Sequence, residues 1–267
     1  MLQWDRLGET RVAFDAAHDF PLGHASAVID ACTVPLVLHD YRRAAVLGTA
    51  TLLMAGGRPL LLTAAHVFDG GVRLGNLLAP LASGHGFFAL GRARLKRSRS
   101  VDIAVIDIGQ LEGVGHLLQG RQALDASSWQ SKGESSPQPP SRRARRAIER
   151  RRRVLVSGYP AALARFERGW LAARRFTVLT RRHDELAALR CPADRLFGYG
   201  RIASRSDGVA IHTPELEGMS GAGIWVLEPR RVGQDAHLRL DAVQSAYVHG
   251  RYLRGHDVGA ALELLRH

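Results

Sequence analysis

The sequence predicts an all-β protein that ends in a short helix. Short apolar runs of strand length recur along the chain, and clusters of glycine, proline, aspartate or arginine separate them. Gly56 and Gly57 stand between two such runs, which is typical of a hairpin turn. Near the end of the chain, Asp257 precedes apolar residues at helical spacing, so we expect it to cap a helix.

The first half of the chain divides into an N-terminal extension, residues 1–32, and a first β-unit, residues 33–125. The extension is mixed in composition, and only residues 25–32 indicate an element, either a short helix or a strand. The β-unit is predicted from its apolar runs, which are residues 34–38, 45–54, 60–63, 86–90 and 103–108.

A polar connector is predicted over residues 126–153. It contains several serines, the stretch Pro137-Gln138-Pro139-Pro140, and an arginine run from Arg142 to Arg153. Such a composition offers little apolar surface to bury, so we expect a disordered or mobile segment. The arginine run is compatible with a short exposed helix.

Apolar runs resume in a second β-unit, residues 154–253, and a helix is expected within residues 254–267. The runs of the second unit are residues 154–156, 176–179, 209–211, 223–227 and 238–248. The chain therefore reads as β-unit, basic connector, β-unit and terminal helix.

Composition places the chain among ordinary globular proteins, with 46% hydrophobic and 23% charged residues. The formal net charge is +12, and the run from Arg142 to Arg153 alone supplies +7, since it holds eight arginines and one glutamate. The basic character is therefore concentrated in one segment. It does not by itself predict a nucleic-acid-binding surface.

The cysteine content and the apolar stretches bear on the compartment. Only Cys32 and Cys191 are present, which does not suggest a disulfide framework and favours two buried free thiols. The first thirty residues lack a continuous apolar stretch of signal-peptide type, and nowhere do roughly 18 apolar residues follow one another. We therefore expect no membrane span and a reducing, cytoplasmic location.

Three segments carry residues suited to chemistry. In the first, an apolar strand runs through Thr63, Ala64 and Ala65 into His66; in the second, Asp102 opens the apolar stretch Ile103-Ala104-Val105. A carboxylate at a strand start can accept the Nδ1–H of a histidine and select its tautomer. Taken alone, each residue is better explained as a plain polar strand end.

The third segment is Gly218-Met219-Ser220-Gly221-Ala222-Gly223. Glycines on both sides of a serine allow unusual backbone angles and a close approach of substrate. The backbone N–H groups of Gly218 and Ser220 could then converge as an oxyanion hole. A glycine-rich turn between strands is the alternative.

Together, the three segments resemble the motifs of the trypsin-like (chymotrypsin-fold) serine peptidases, in the family's order of histidine, aspartate and serine. The resemblance covers about residues 33–252 and is greatest to bacterial members without disulfides. It implies two six-stranded β-barrels with the active site between them. It also implies that Ser220 is the nucleophile, His66 the general base and Asp102 the orienting carboxylate, with a polypeptide substrate and no metal or other cofactor.

The family's specificity pocket implies a further set of residues. Its walls map to Thr213, Pro214 and Glu215 before the nucleophile, and to Gln244, Ser245 and Ala246 on the later strand. Pro214 replaces the carboxylate that selects arginine in trypsin itself, so we expect a small or medium uncharged residue before the scissile bond. Met219 stands where secreted relatives carry an aspartate that pairs with a newly cut N-terminus. Because methionine cannot form this ion pair, we do not expect activation by N-terminal cleavage.

Two other functions compete with the active endopeptidase. One is a catalytically silent binding module on the same fold, which the complete set of three residues disfavours. The other is a polyanion or nucleic-acid binder acting through the run from Arg142 to Arg153. That run contains no aromatic residue to stack on bases, so we rank it below the peptidase.

Overall fold

The computed structural model describes residues 2–13, 23–40, 43–84, 86–98, 100–126, 153–182, 194–205, 209–228 and 237–265. Within them the chain is mostly β and ends in a short helix, which confirms that part of the prediction. Residues 127–152 lie outside the described residues, so the predicted connector is described only at its two ends.

The strands of the described residues are β1 (Gln3–Ala13), β2 (Thr33–Asp40), β3 (Arg43–Ala55), β4 (Arg58–Thr63), β5 (Leu77–Pro80), β6 (Phe87–Ala89), β7 (Arg94–Arg97), β8 (Ala104–Asp107), β9 (Leu124–Asp125), β10 (Arg153–Gly158), β11 (Ala164–Glu167), β12 (Trp170–Thr180), β13 (Asp194–Gly198), β14 (Ile202–Arg205), β15 (Ala210–His212), β16 (Gly223–Glu228), β17 (His237–Val248) and β18 (Tyr252–Asp257). The α-helices are α1 (Gly23–Cys32), α2 (Val114–Leu118) and α3 (Gly259–Leu265). Short 3₁₀ turns occupy Ala65–Gly71, Leu74–Asn76 and Ala161–Leu163.

An eight-stranded sheet forms the first unit, in the order β6-β5-β2-β3-β4-β8-β7, with β9 parallel to β3. The hairpin between β3 and β4 turns at Gly56 and Gly57, whose φ angles of +55° and +75° suit a two-residue turn. Apolar side chains of β2, β3, β4 and β8 fill one continuous core. The predicted hairpin and most of the predicted strands of this unit are present.

A ten-stranded sheet forms the second unit, in the order β13-β18-β17-β16-β10-β12-β1-β14-β15, with β11 beside β12. Its core is a separate cluster that includes Val156, Phe176 and Ile224. The described residues thus build two sheets, and the larger cluster also includes buried residues of the second sheet, such as Leu155 and Trp225. A smaller cluster, which includes Trp4, Val46 and Tyr159, packs residues of both units together.

The N-terminal residues are part of the second sheet and not a separate extension. Strand β1 pairs in parallel with β12 from Gln3 to Ala13 and in antiparallel fashion with β14. The segment at residues 25–32, which the sequence left open between helix and strand, belongs to helix α1. Because Ile29 of α1 is buried in the core of the first unit, the N-terminal segment connects both units.

A buried ion-pair network explains why so polar a strand enters the sheet. The Arg175 side chain on β12 is only 2% exposed, and its guanidinium lies 2.9 Å from Glu9 of β1 and 3.2 Å from Asp30 of α1. Thr177 donates a further hydrogen bond of 2.5 Å to Glu9. Burial raises the pKa of Glu9, but the charge of Arg175 and the hydrogen bonds from Thr177 and Arg11 outweigh it and hold that pKa below 4.5.

Replacing Glu9 by glutamine should destabilise the protein, because Arg175 would lose one of its two carboxylate partners in a buried site. We expect Glu9→Gln to lower the free energy of unfolding by about 3 kcal/mol. Since the folded pKa of Glu9 is lowered, its contribution is complete above pH 4.5 and is lost as the pH falls through the folded value. Urea denaturation at pH 7 and at pH 3 should therefore show a smaller difference between variant and parent at pH 3.

The exposed Glu112 provides the control for this comparison. Glu112→Gln should change the free energy of unfolding by less than about 0.5 kcal/mol at either pH. Equal stability of Glu9→Gln and Glu112→Gln would contradict the role assigned to the buried network.

The C-terminal helix lies within the segment predicted for it, residues 254–267. Residues 252–257 form strand β18, and the helix runs from Gly259 to Leu265. Asp257 accepts a hydrogen bond of 2.7 Å from the Gly259 N–H, as expected of a residue that caps the helix. Pairing of β18 with both β13 and β17 extends the strand as far as Asp257.

Cys32 is a free, fully buried thiol whose pKa burial raises to about 12, so it is unreactive near neutral pH. Cys191 lies outside the described residues. In the portion of the chain that the structure describes, no helix has the length and apolarity needed to cross a membrane. The cytoplasmic location stays a prediction.

Candidate functional site

The end of strand β4 presents His66. The strand stops at Thr63, and the chain then enters the 3₁₀ turn Ala65–Gly71. Ala64 and Ala65 are both buried at this bend. The imidazole of His66 is 39% exposed and faces the space between the two units, where Ser220 meets it.

Asp102 holds His66 through both of its carboxylate oxygens. Oδ1 accepts the His66 backbone N–H at 2.8 Å, and Oδ2 lies 2.6 Å from His66 Nδ1. Strands β4 and β8 are antiparallel neighbours with Thr63 opposite Ala104. The segment after β4, which holds His66, therefore lies beside the segment before β8, which holds Asp102. Burial raises the pKa of Asp102, but the side-chain and backbone hydrogen bonds from His66 outweigh it, and the net pKa lies below 3.8.

Two other aspartates of the first unit, Asp69 and Asp107, are rival candidates for the orienting carboxylate, and both are engaged elsewhere. Asp69 pairs with Arg97 at 2.5 Å. Asp107 accepts the Gly109 N–H at 3.0 Å and lies 3.6 Å from Arg58. Among the three candidates, Asp102 is the one in contact with His66.

Ser220 lies in the turn that precedes β16 of the second sheet, and its Oγ is 2.8 Å from His66 Nε2. The three residues thus form one hydrogen-bonded row of Asp102, His66 and Ser220, although 154 positions separate Ser220 from His66. With Asp102 accepting from Nδ1–H, the neutral imidazole has its lone pair on Nε2, directed at the serine hydroxyl.

The backbone N–H groups around Ser220 divide into two sets. Those of Met219, Gly221 and Ala222 donate to carbonyls of Leu216, Gln244 and Met219, at 2.9, 2.8 and 2.7 Å. Those of Gly218 and Ser220 donate to no group of the described residues. Two N–H donors on either side of Met219 are therefore available to an incoming group.

The peptide that carries the Gly218 N–H is held from outside the turn. The Glu217 carbonyl accepts the Ala161 N–H at 2.6 Å. In a planar trans peptide the N–H points opposite to the carbonyl, so the Gly218 N–H is directed away from Ala161. Gly218 itself has a φ of +87°.

Thr49 of β3 clamps the serine turn to the first unit, and the sequence did not single it out. Its buried Oγ1 donates to the Gly218 carbonyl and accepts the Tyr159 N–H, both at 3.0 Å. Its backbone N–H donates to the Ser220 carbonyl at 2.8 Å. Two threonines, Thr49 and Thr51, in the middle of a mainly apolar strand were the signal that could have pointed to it.

Gly221 should not tolerate a side chain. Its φ is +90°, and an added Cβ would overlap Thr63 Oγ1 and the Thr49 carbonyl oxygen. We expect Gly221→Ala to cost more than about 4 kcal/mol of stability, because the obstacle includes buried backbone. Thermal or urea unfolding measures this loss.

Gly57→Ala is the matched control for this substitution, since Gly57 also has a positive φ of +75° but open space around it. Only the backbone conformation is penalised there, which costs about 1 kcal/mol. Similar losses for the two variants would show that the serine turn is not as closely packed as described.

The predicted pocket residues form two groups in the structure. Gln244 lies beside the serine turn, since its carbonyl accepts the Gly221 N–H at 2.8 Å. Ser245 is buried and Ala246 partly buried on the same strand, β17. In the other segment, buried Thr213 donates to the Gly200 carbonyl at 2.8 Å. There too, the Pro214 carbonyl accepts the Tyr199 hydroxyl at 2.6 Å.

Glu215, the third member of that segment, contacts β17 directly, since its carboxylate accepts a hydrogen bond from the Tyr247 hydroxyl. The two predicted walls are therefore joined by side chains, a feature that the sequence did not reveal.

No group of three or more histidine, cysteine, aspartate or glutamate side chains in the described ranges is arranged to hold a metal ion. No protein-family model matches the chain, and no curated protein is detectably similar to it in sequence. A functional assignment therefore rests on the residues and geometry of this chain.

Proposed function

We propose that this chain is a serine endopeptidase that hydrolyses peptide bonds through Ser220, His66 and Asp102. The observation that carries the proposal is the continuous hydrogen-bonded row from Asp102 through His66 to Ser220, with distances of 2.6 and 2.8 Å. A serine hydroxyl becomes a competent nucleophile when an adjacent base is oriented by a third group, and this row has that arrangement.

In the proposed reaction, His66 Nε2 takes the Ser220 hydroxyl proton as the oxygen attacks the scissile carbonyl carbon. The same nitrogen returns the proton to the departing amine, which leaves an acyl group on Ser220. His66 then takes a proton from water, the hydroxide attacks the acyl carbon, and the acid product departs as the proton returns to Ser220. Asp102 stays ionised throughout and stabilises the imidazolium, which its lowered pKa supports.

The N–H groups of Gly218 and Ser220 form the proposed oxyanion hole. Both lack another acceptor within the described residues, and the Glu217–Ala161 hydrogen bond of 2.6 Å orients the first of them. Donors that are in place before reaction stabilise negative charge on the carbonyl oxygen without a reorganisation cost.

We also propose that the two units are six-stranded β-barrels and that the active site lies in a cleft between them. It is supported by an apolar cluster that belongs to the second unit alone and by the positions of the three residues in the two units. His66 and Asp102 come from the eight-stranded sheet, while Ser220 precedes a strand of the ten-stranded one. A site shared by two such units leaves a groove in which an extended peptide can lie.

Labelling with a fluorophosphonate probe tests the function directly, because the probe phosphonylates only an activated serine. We expect one label per chain, located on Ser220 by mass spectrometry and blocked when His66 is replaced by alanine. An unlabelled, folded chain would favour the silent binding module. Polyanion binding through the arginine run stays a prediction, since all of the run except Arg153 lies outside the described residues.

A further inference from the structure

Three side chains bridge the segment before Ser220 and the end of strand β17. The Tyr247 hydroxyl donates to Glu215 Oε2 at 2.6 Å. His249 Nδ1 lies 3.0 Å from Glu215 Oε1. Both carboxylate oxygens of Glu215 are therefore engaged by residues of the opposite segment.

The bridge lies close to the nucleophile. Gly221 donates to the Gln244 carbonyl at 2.8 Å, which places β17 beside the serine turn. Tyr247 follows Gln244 by three positions, so along a strand the separation is about 10 Å. Glu215 precedes Gly218 by three positions on the other side. When Ser220 attacks a substrate carbonyl, the side chain of that substrate residue can extend between these two segments. There it would meet the bridge.

A buried aromatic side chain holds the bridge from behind. The Tyr199 ring is 1% exposed and packs edge-on against Tyr247, with ring centroids 6.4 Å apart. It also lies 6.0 Å from the His249 ring. Its hydroxyl donates to the Pro214 carbonyl at 2.6 Å, and Thr213 Oγ1 lies 3.2 Å from His249 Nε2. Tyr247 and His249 are thus fixed by packing, which a freely rotating surface side chain would not be.

The ionisation states agree with a stable bridge. The hydrogen bond from Tyr247, followed by the charge and hydrogen bond of His249, lowers the pKa of Glu215 in spite of some desolvation. Burial and the Glu215 hydrogen bond raise the pKa of Tyr247 to about 12. Near neutral pH, Glu215 is therefore an anionic acceptor and Tyr247 a neutral donor.

We propose that the bridge of Tyr247, Glu215 and His249 determines substrate specificity, an inference that rests on the proposed peptidase function. By spanning the two segments beside Ser220, it closes the space for the side chain of the P1 residue, whose carbonyl is attacked. The substrates are peptides with a small uncharged P1 residue such as glycine, alanine or serine. Glu215 does not select arginine or lysine, because Tyr247 and His249 occupy its oxygens.

Peptides that differ only at P1, with alanine, phenylalanine or arginine, test the bridge against the parent and three variants. We expect the parent to prefer alanine. Tyr247→Ala removes the obstruction and frees Glu215 Oε2, so kcat/KM for phenylalanine and arginine should rise at least about 10-fold relative to alanine. Tyr247→Ala combined with Glu215→Gln should keep the gain for phenylalanine and lose it for arginine. Tyr247→Phe keeps the ring and therefore the obstruction, so it should keep the parent's preference for alanine.

Tyr252→Phe is the control, since Tyr252 lies in the same sheet without a hydrogen bond from its hydroxyl to the described residues. It should leave the P1 profile unchanged. Fluorophosphonate labelling of every variant separates the possible failures. If the proteins are labelled at Ser220 but the P1 profiles of the parent and of Tyr247→Ala coincide, the bridge is not the determinant. If the parent is neither labelled nor active on any peptide, the proposed function fails and this inference with it.

Discussion

Replacing Ser220 by alanine is expected to lower kcat for peptide or ester hydrolysis by about 10⁶-fold, and His66→Ala should cost about as much. That is the loss seen in serine peptidases when either member of such a triad is removed, because the residues act as a unit. Here Ser220 Oγ has a base 2.8 Å away, and without either partner no activated nucleophile is left. Steady-state hydrolysis of an activated ester measures the loss.

A double variant tests whether Ser220 and His66 act together in the same catalytic step. Combining Ser220→Ala with His66→Ala should cost little more than either change alone. Circular dichroism and thermal melting should show that all three proteins are folded, since Ser220 and His66 are both partly exposed. Hydrolysis by Ser220→Ala at the rate of the parent would exclude the proposed mechanism.

Asp102→Asn should reduce kcat by about 10⁴-fold and leave the protein folded. An asparagine side chain in this position favours the wrong tautomer of His66, in which Nε2 carries the proton and cannot accept the serine hydroxyl. The carboxylate makes both of its contacts, at 2.8 and 2.6 Å, to His66, so little else depends on its charge. The pH–rate profile and kcat of the purified variant give the measurement.

Asp107→Asn is the matched comparison, because Asp107 lies in the same strand region but contacts Arg58 and Gly109. We expect its kcat to stay within about threefold of the parent, which is less than 1 kcal/mol in activation free energy. If Asp107→Asn abolished activity while Asp102→Asn changed kcat only slightly, Asp107 and not Asp102 would be the orienting carboxylate.

Local sequence was sufficient to predict the mostly β class, the turn at Gly56 and Gly57, and the capped C-terminal helix. Each of these depends on interactions between residues close in the chain, such as the Gly259 N–H with Asp257. The motifs around His66 and Ser220 were also found in sequence, since small residues that permit a bend adjoin each of them, Ala64-Ala65 before His66 and Gly221 after Ser220.

Only the tertiary structure decided which polar residues meet. Strand β1 shows no apolar alternation, and its Glu9 is stabilised by Arg175 of the neighbouring strand β12, which lies far along the chain. Thr49 as the clamp of the serine turn, Asp102 among three carboxylates, and the Tyr247–Glu215 bridge depend in the same way on long-range contacts. Hydrophobic periodicity records which face of an element is buried, whereas the partner of a buried polar group depends on how distant strands are aligned.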